Sequence, residues 1–133
     1  MTQRIRRVTV KAHITNNQQE HQAVVDERDN QPPLAFVGKR LGMAVGTIDR
    51  GQRIESVLWL SDRGDLVCEN KIFSHETGEQ IVCEAKACKD SSEVAKFLNY
   101  DQDYGAGHGE NLYLIAKRLD YAKYKPLGVA HVG

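Results

Sequence analysis

Three turn signals, Asp49-Arg50-Gly51, Asp62-Arg63-Gly64 and Thr77-Gly78, punctuate one stretch of the chain and act as rulers for the strands between them. If each Asp-Arg-Gly is a three-residue hairpin loop with glycine in the left-handed position, Ile48 pairs with Gln52 and Ser61 with Asp65. If Thr77-Gly78 is a two-residue loop, Glu76 pairs with Glu79. Counting outward from these loops sets Glu55 opposite Lys71, Lys71 opposite Glu84, and Glu69 opposite Lys86. Three opposite-charge pairs would be lost together by a one-residue slip, so this register is the one the charges favour.

The same count sorts residues 34–48, 52–61, 65–76 and 79–88 onto two faces. One face is built of small residues, with Gly42, Ala44 and Gly46 beside Ser56, Cys68 and Asn70, and then Cys83, Ala85 and Ala87. The other carries Leu41, Trp59, Val67 and Cys88 as one cross-strand row and Thr47, Arg53, Phe73 and Val82 as another. Met43, Val45 and Val57 add to it, which makes it too apolar to stand bare in water. It calls for a cover: the N-terminal hairpin folded over it, the sheet curled on itself, or a second subunit.

Upstream, residues 7–15 alternate, with Val8, Val10, Ala12 and Ile14 on one side, and residues 21–26 read as the return strand of a first hairpin. Asp29-Asn30-Gln31-Pro32-Pro33 then breaks the ladder. After Lys89 the apolar period lengthens to that of a helix. Asp90 or Ser91 suits the N-cap, with Glu93 reaching back, and Val94, Phe97 and Leu98 share a face. A glycine-rich break at 104–109 precedes a second, longer helix marked by Leu112, Ile115, Ala116, Leu119 and Ala122 and ended before Pro126. The tail 127–132 has the composition of an edge strand or arm. Residues 1–133 are therefore expected to form a single α+β domain: an N-terminal hairpin, an antiparallel meander, and two C-terminal helices packed on the small-residue face.

Composition narrows the function classes. Eighteen basic residues balance eighteen acidic ones, so no global field favours nucleic acid or anionic lipid. The exception is local: Arg4, Arg6, Arg7 and Lys11 precede the first acid, and they constitute the case for nucleic-acid binding, which the neutral total disfavours. No apolar run spans a bilayer, and the N-terminus has neither an apolar core nor a small-residue cleavage site. Cys68, Cys83 and Cys88 are an odd set without metal-ligand spacing, which suits reduced thiols in the cytoplasm.

Motifs for chemistry are sparse. Asp101, Asp103, His108 and Glu110, around Gly-Ala-Gly-His-Gly, could ligate a metal or cradle an anion. Their spacing matches neither an EF-hand nor a zinc site, and the glycines follow a helix rather than a strand. A flexible helix–helix connector is the reading these residues favour over either. No thiol or hydroxyl sits beside a base in a recognisable motif, and no cofactor is called for. Two binding surfaces remain. Gly42, Ala44, Ser56, Cys68 and Asn70 could form a ligand pocket between sheet and helices, with Ser56 and Asn70 as its polar floor, unless the helices fill that space. Leu41, Trp59, Val67, Phe73 and Cys88 could form a homodimer interface centred on Trp59. The resulting expectation is a small non-enzymatic binding or accessory protein acting through a sheet surface, as a homodimer or with another protein. The alternative is a small-ligand-binding domain or enzyme using the pocket.

Overall fold

The computed structural model describes residues 8–11, as backbone, and residues 21–124. The basic residues Arg4, Arg6 and Arg7, the Lys11 side chain, the loop at 16–19 and the tail at 127–132 lie outside the described residues. The strands are β1 (Val8–Lys11), β2 (Gln22–Asp26), β3 (Leu34–Thr47), β4 (Arg53–Ser61), β5 (Leu66–Phe73) and β6 (Gln80–Cys88), followed by helices α1 (Ser91–Leu98) and α2 (Glu110–Tyr124). All six strands form one antiparallel meander in chain order. The α+β architecture with both helices on one sheet face is the one the sequence implies.

Both Asp-Arg-Gly loops close as expected. The Ile48 N–H donates to the Gln52 carbonyl and the Ser61 N–H to the Asp65 carbonyl, each at 2.8 Å. The β4–β5 register follows, with Glu55 opposite Lys71, Ser56 opposite Asn70 and Trp59 opposite Val67. The third loop differs. Ser74, not Glu76, pairs with Glu79, because the Ser74 hydroxyl accepts the N–H groups of Glu76 and Thr77 and its carbonyl accepts the Gly78 N–H. A four-residue loop thus replaces the two-residue one, with Gly78 taking the left-handed position at φ 76°. A two-residue type I′ loop would have forced the β-branched Thr77 to positive φ as well.

The longer loop alone would shift β6 by two positions and leave each side chain on its expected face. A bulge at Ile81, between the Ile72–Val82 and Phe73–Gln80 pairs, takes one position back and leaves β6 displaced by one. Lys71 lies opposite Cys83 and Glu69 opposite Ala85, so the Lys71–Glu84 and Glu69–Lys86 pairs do not form. Cys83 and Ala85 move to the Trp59 face, while Glu84 and Lys86 join the helix face. A second irregularity lies in β3, where the register shifts between Arg40 and Gly42. This bulge sets Arg40, not Leu41, opposite Trp59 and turns Leu41 toward the helices.

The sheet solves its two-sided apolar problem by curling. In a flat sheet β2 and β6 would stand about 19 Å apart, four strand spacings. Instead Asp29, just after β2, donates its N–H to the Cys83 carbonyl at 3.1 Å and accepts the Cys83 N–H on its carboxylate at 3.0 Å. Arg28 Nη1 adds a bond to the Ala85 carbonyl. The connector therefore satisfies the outer edge of β6 and holds the curl. Inside it, Val24, Val57, Trp59 and Val67 form a core flanked by Leu34 and Phe36, with the Phe36 ring edge-on to Trp59 at 5.5 Å.

On the opposite face α1 and α2 build the larger core. Leu58, Leu66, Cys68 and Cys88 from the sheet meet Val94, Leu98, Tyr100, Leu112, Tyr113 and Ala116. Asp90 caps α1 by accepting the Glu93 N–H, Glu93 reaches back to the Lys89 N–H, and Asp120 of α2 accepts the Ser91 N–H. Asn99 ends α1 in the left-handed conformation.

Candidate functional site

The helices cover only part of their sheet face. Toward the hairpin end, the row Gly46, Ile54 and Ile72 lies beyond α1 and opens into a groove of about 1000 Å³. Residues 43–47 of β3 with Ile48 form one side of it, Phe97 and Asn99 at the end of α1 another, and 107–109 with Asn111 a third. Asn70, Glu84 and Leu98 complete the lining, so Glu84 and His108 are the acidic and basic side chains among the lining residues.

His108 is the residue that organises this end. Its Nε2 lies 2.8 Å from Ser56 Oγ, and Ser56 in turn donates to Asn70 Oδ1. With the Ser56 proton committed to Asn70, His108 Nε2 donates, which selects the Nε2–H tautomer. Asn70 Nδ2 donates onward to the Phe97 carbonyl at 3.4 Å. The chain of bonds runs from the glycine-rich loop through β4 and β5 to the end of α1. Burial holds the His108 imidazole below its ordinary pKa, so at neutral pH the ring is uncharged. Its Nδ1 sits over Gly46, where a β-carbon would lie 3.0 Å away.

Ser56 beside a histidine has the composition of a nucleophile and base, but not the access. Ser56 is 0% exposed, sealed beneath His108, so no substrate reaches its oxygen. The group acts as a clamp for the loop. The thiols are equally withdrawn: burial pushes Cys83 and Cys88 up to about 11, and holds Cys68 well above the ordinary thiol value.

The residues singled out by the sequence separate into several places. Of the pocket set, Ala44 and Asn70 line the groove. Gly42 is occupied by Leu112 and Ile115, Cys68 is in the helix-side core, and Ser56 lies under His108. Large helix residues have filled the space over the small ones. Of the interface set, Leu41 and Cys88 pack with the helices, and Trp59 and Val67 are inside the curl, Trp59 at 1% exposure. The row of Leu41, Trp59, Val67 and Cys88 therefore does not exist as one surface, for the two register reasons given above. Phe73 remains half-buried on the outer end, its ring 4.7 Å beneath the Arg53 guanidinium.

The acidic loop residues also diverge. Asp101 accepts the N–H groups of Asp103 and Tyr104, shaping the turn, while His108 points into the sheet. Among the described residues no three of His, Cys, Asp and Glu converge on a metal position. Sequence reasoning missed His108 as the partner of Ser56 and Asn70. Fifty-two positions separate Ser56 from His108, and no local pattern links them. Comparison with protein-family models, with curated proteins and with solved structures finds no match.

Proposed function

We propose that the chain is a non-enzymatic binding protein whose site is the open groove at the hairpin end of the helix-covered sheet face. The observation that supports it is the groove itself. It lies at the upper end of the size range of small-molecule sites, roughly 300–1,000 Å³, and apolar side chains and amides both line it. Ile54, Ile72 and Phe97 offer apolar contact; Asn70, Asn99, Asn111 and the uncharged His108 offer hydrogen bonds. This chemistry suits an uncharged ligand with an apolar body and a few polar groups. A strong anion would find neither a cationic lining residue nor a protonated imidazole. Binding rather than catalysis follows from the sealed Ser56 and the withdrawn thiols, and those thiols suit a reducing compartment such as the cytoplasm.

The test is a nuclear magnetic resonance screen of the full chain with uncharged, amide- and hydroxyl-bearing aromatic fragments at millimolar concentration. The expected result is shift changes concentrated at Ile54, Asn70, Ile72, Phe97 and His108. Responses scattered over the surface, or none in this set, would overturn the reading. Ile72→Glu should abolish the response while leaving the fold intact, since Ile72 is only partly buried.

A further inference from the structure

The outer edge of β3 carries a second interaction surface. Across the β3–β4 hairpin, the Ile48 N–H donates to the Gln52 carbonyl. Antiparallel pairs alternate, so Gly42, Ala44, Gly46 and Ile48 direct their backbone groups toward β4, and Met43, Val45 and Thr47 direct theirs away. The described β2–β3 pairing ends at the Gln22–Gly38 pair. Among the described residues, no strand lies beside Met43, Val45 and Thr47. At one end of this edge a side chain takes the place of a strand: Asn111 Nδ2 donates to the Met43 carbonyl at 3.0 Å.

Natural sheets blunt such edges with charge, proline or a bulge. Residues 41–48, Leu-Gly-Met-Ala-Val-Gly-Thr-Ile, have no charge and no proline, and the bulge is confined to their first residue, Leu41. Val45 is 58% exposed and Met43 39%, both on the sheet face away from the helices. An occupant matching this edge must be extended and uncharged, with apolar side chains at alternate positions. Residues 41–48 themselves have that chemistry. A two-fold axis sets an antiparallel strand against itself, which would place like charges together in a charged segment but places none together here.

We propose that two copies of the chain pair through β3, antiparallel about a two-fold axis near Val45, so that one sheet continues into the other. Val45 and Met43 of each copy cover those of its mate, and the second copy forms the outer wall of the groove. The pairing goes beyond the groove reading and stands whether or not the groove holds a ligand.

Sedimentation velocity of the full chain at tens to hundreds of micromolar tests it, a range in which even a weak dimer associates. The expected species is a dimer. Val45→Lys should halve the mass without altering circular dichroism, because the side chain is exposed in the single chain. Amide exchange on the wild type provides an independent readout: Val45 and Thr47 should gain protection as concentration rises. A wild type monomeric throughout the range overturns the pairing, and so does a folded Val45→Lys that stays dimeric. Concentration-independent exchange at both amides overturns it as well, even if Val45→Lys fails to fold. A monomer whose Ile54, Ile72 and Phe97 resonances still respond to fragments overturns the pairing alone and leaves the groove reading standing.

Discussion

Replacing Trp59 with phenylalanine discriminates sharply between an outward-facing row and a closed interior. Trp59 is inside the curl, its Nε1 donating to Glu69 Oε1 at 2.9 Å, with Phe36 edge-on to its ring. Phenylalanine keeps an aromatic ring but removes that donor from a buried carboxyl group, a loss of about 1–3 kcal/mol. The missing ring volume of roughly 40 Å³ adds about 1 kcal/mol at ~24 cal/mol per Å³ of unrelaxed cavity. The sum is about 2–4 kcal/mol, or a fall in melting temperature of roughly 8–16 °C at about 4 °C per kcal/mol for a domain of this size. Circular dichroism through urea denaturation is the appropriate assay, because the variant loses the only tryptophan. A loss under about 0.5 kcal/mol, typical of surface substitutions, would refute the buried placement of Trp59 and with it the curled core.

Two further outcomes follow from the helix face and from His108. Leu112→Ala should lose about 2–5 kcal/mol as a full core truncation, and Lys117→Ala on the exposed side under about 0.5. Equal losses in chemical denaturation would show that the phase of α2 is wrong. His108 has its native pKa lowered from an ordinary value near 6.5, so its neutral form is favoured by folding. The stability this contributes is fully present above about 6.5 and is lost as the pH falls toward the native pKa. Urea midpoints at pH 7.5 and 5.5 should therefore drop more for the wild type than for His108→Gln; parallel drops would show that His108 does not titrate on unfolding.

The sequence made the meander legible because turn chemistry is local. Asp49-Arg50-Gly51 and Asp62-Arg63-Gly64 each fix a loop length, and from them the β4–β5 register and the neighbouring Ser56 and Asn70 follow by counting. Thr77-Gly78 misled by offering a shorter loop and a row of charge pairs to go with it. The local signal was Ser74, whose hydroxyl accepts two backbone N–H groups and opens the turn earlier, while the bulge at Ile81 that then exchanges the faces of β6 had no marker in the sequence. Surface charge pairs of this kind are worth only a few tenths of a kcal/mol to about 1 kcal/mol, too little to override a satisfied turn. The bulge after Arg40 had no comparable marker, and it moved Leu41 across the sheet. The groove depends on where two helices stop over a sheet, which no short-range pattern encodes.

The spacing of small residues on β3 explains why the groove lies where it does. Gly42, Ala44 and Gly46 occupy one face in sequence. At Gly42 a β-carbon would come within 3.0 Å of Ile115 Cδ1 and 3.1 Å of Leu112 Cδ2, so the absent side chain lets α2 settle directly on the strand. The depth of α2 sets the position of its N-terminal approach, which brings His108 over Gly46 and within reach of Ser56. A valine at Gly42 would lift the helix and pull His108 from Ser56, whereas one at Gly46 would displace the imidazole directly. Beyond this series, Ile54 and Ile72 stand where neither helix reaches, and the face opens into the groove. One run of β3 therefore seats the helix, holds the clamp and borders the groove, while its alternate residues, Met43, Val45 and Thr47, supply the edge on which a second copy is placed.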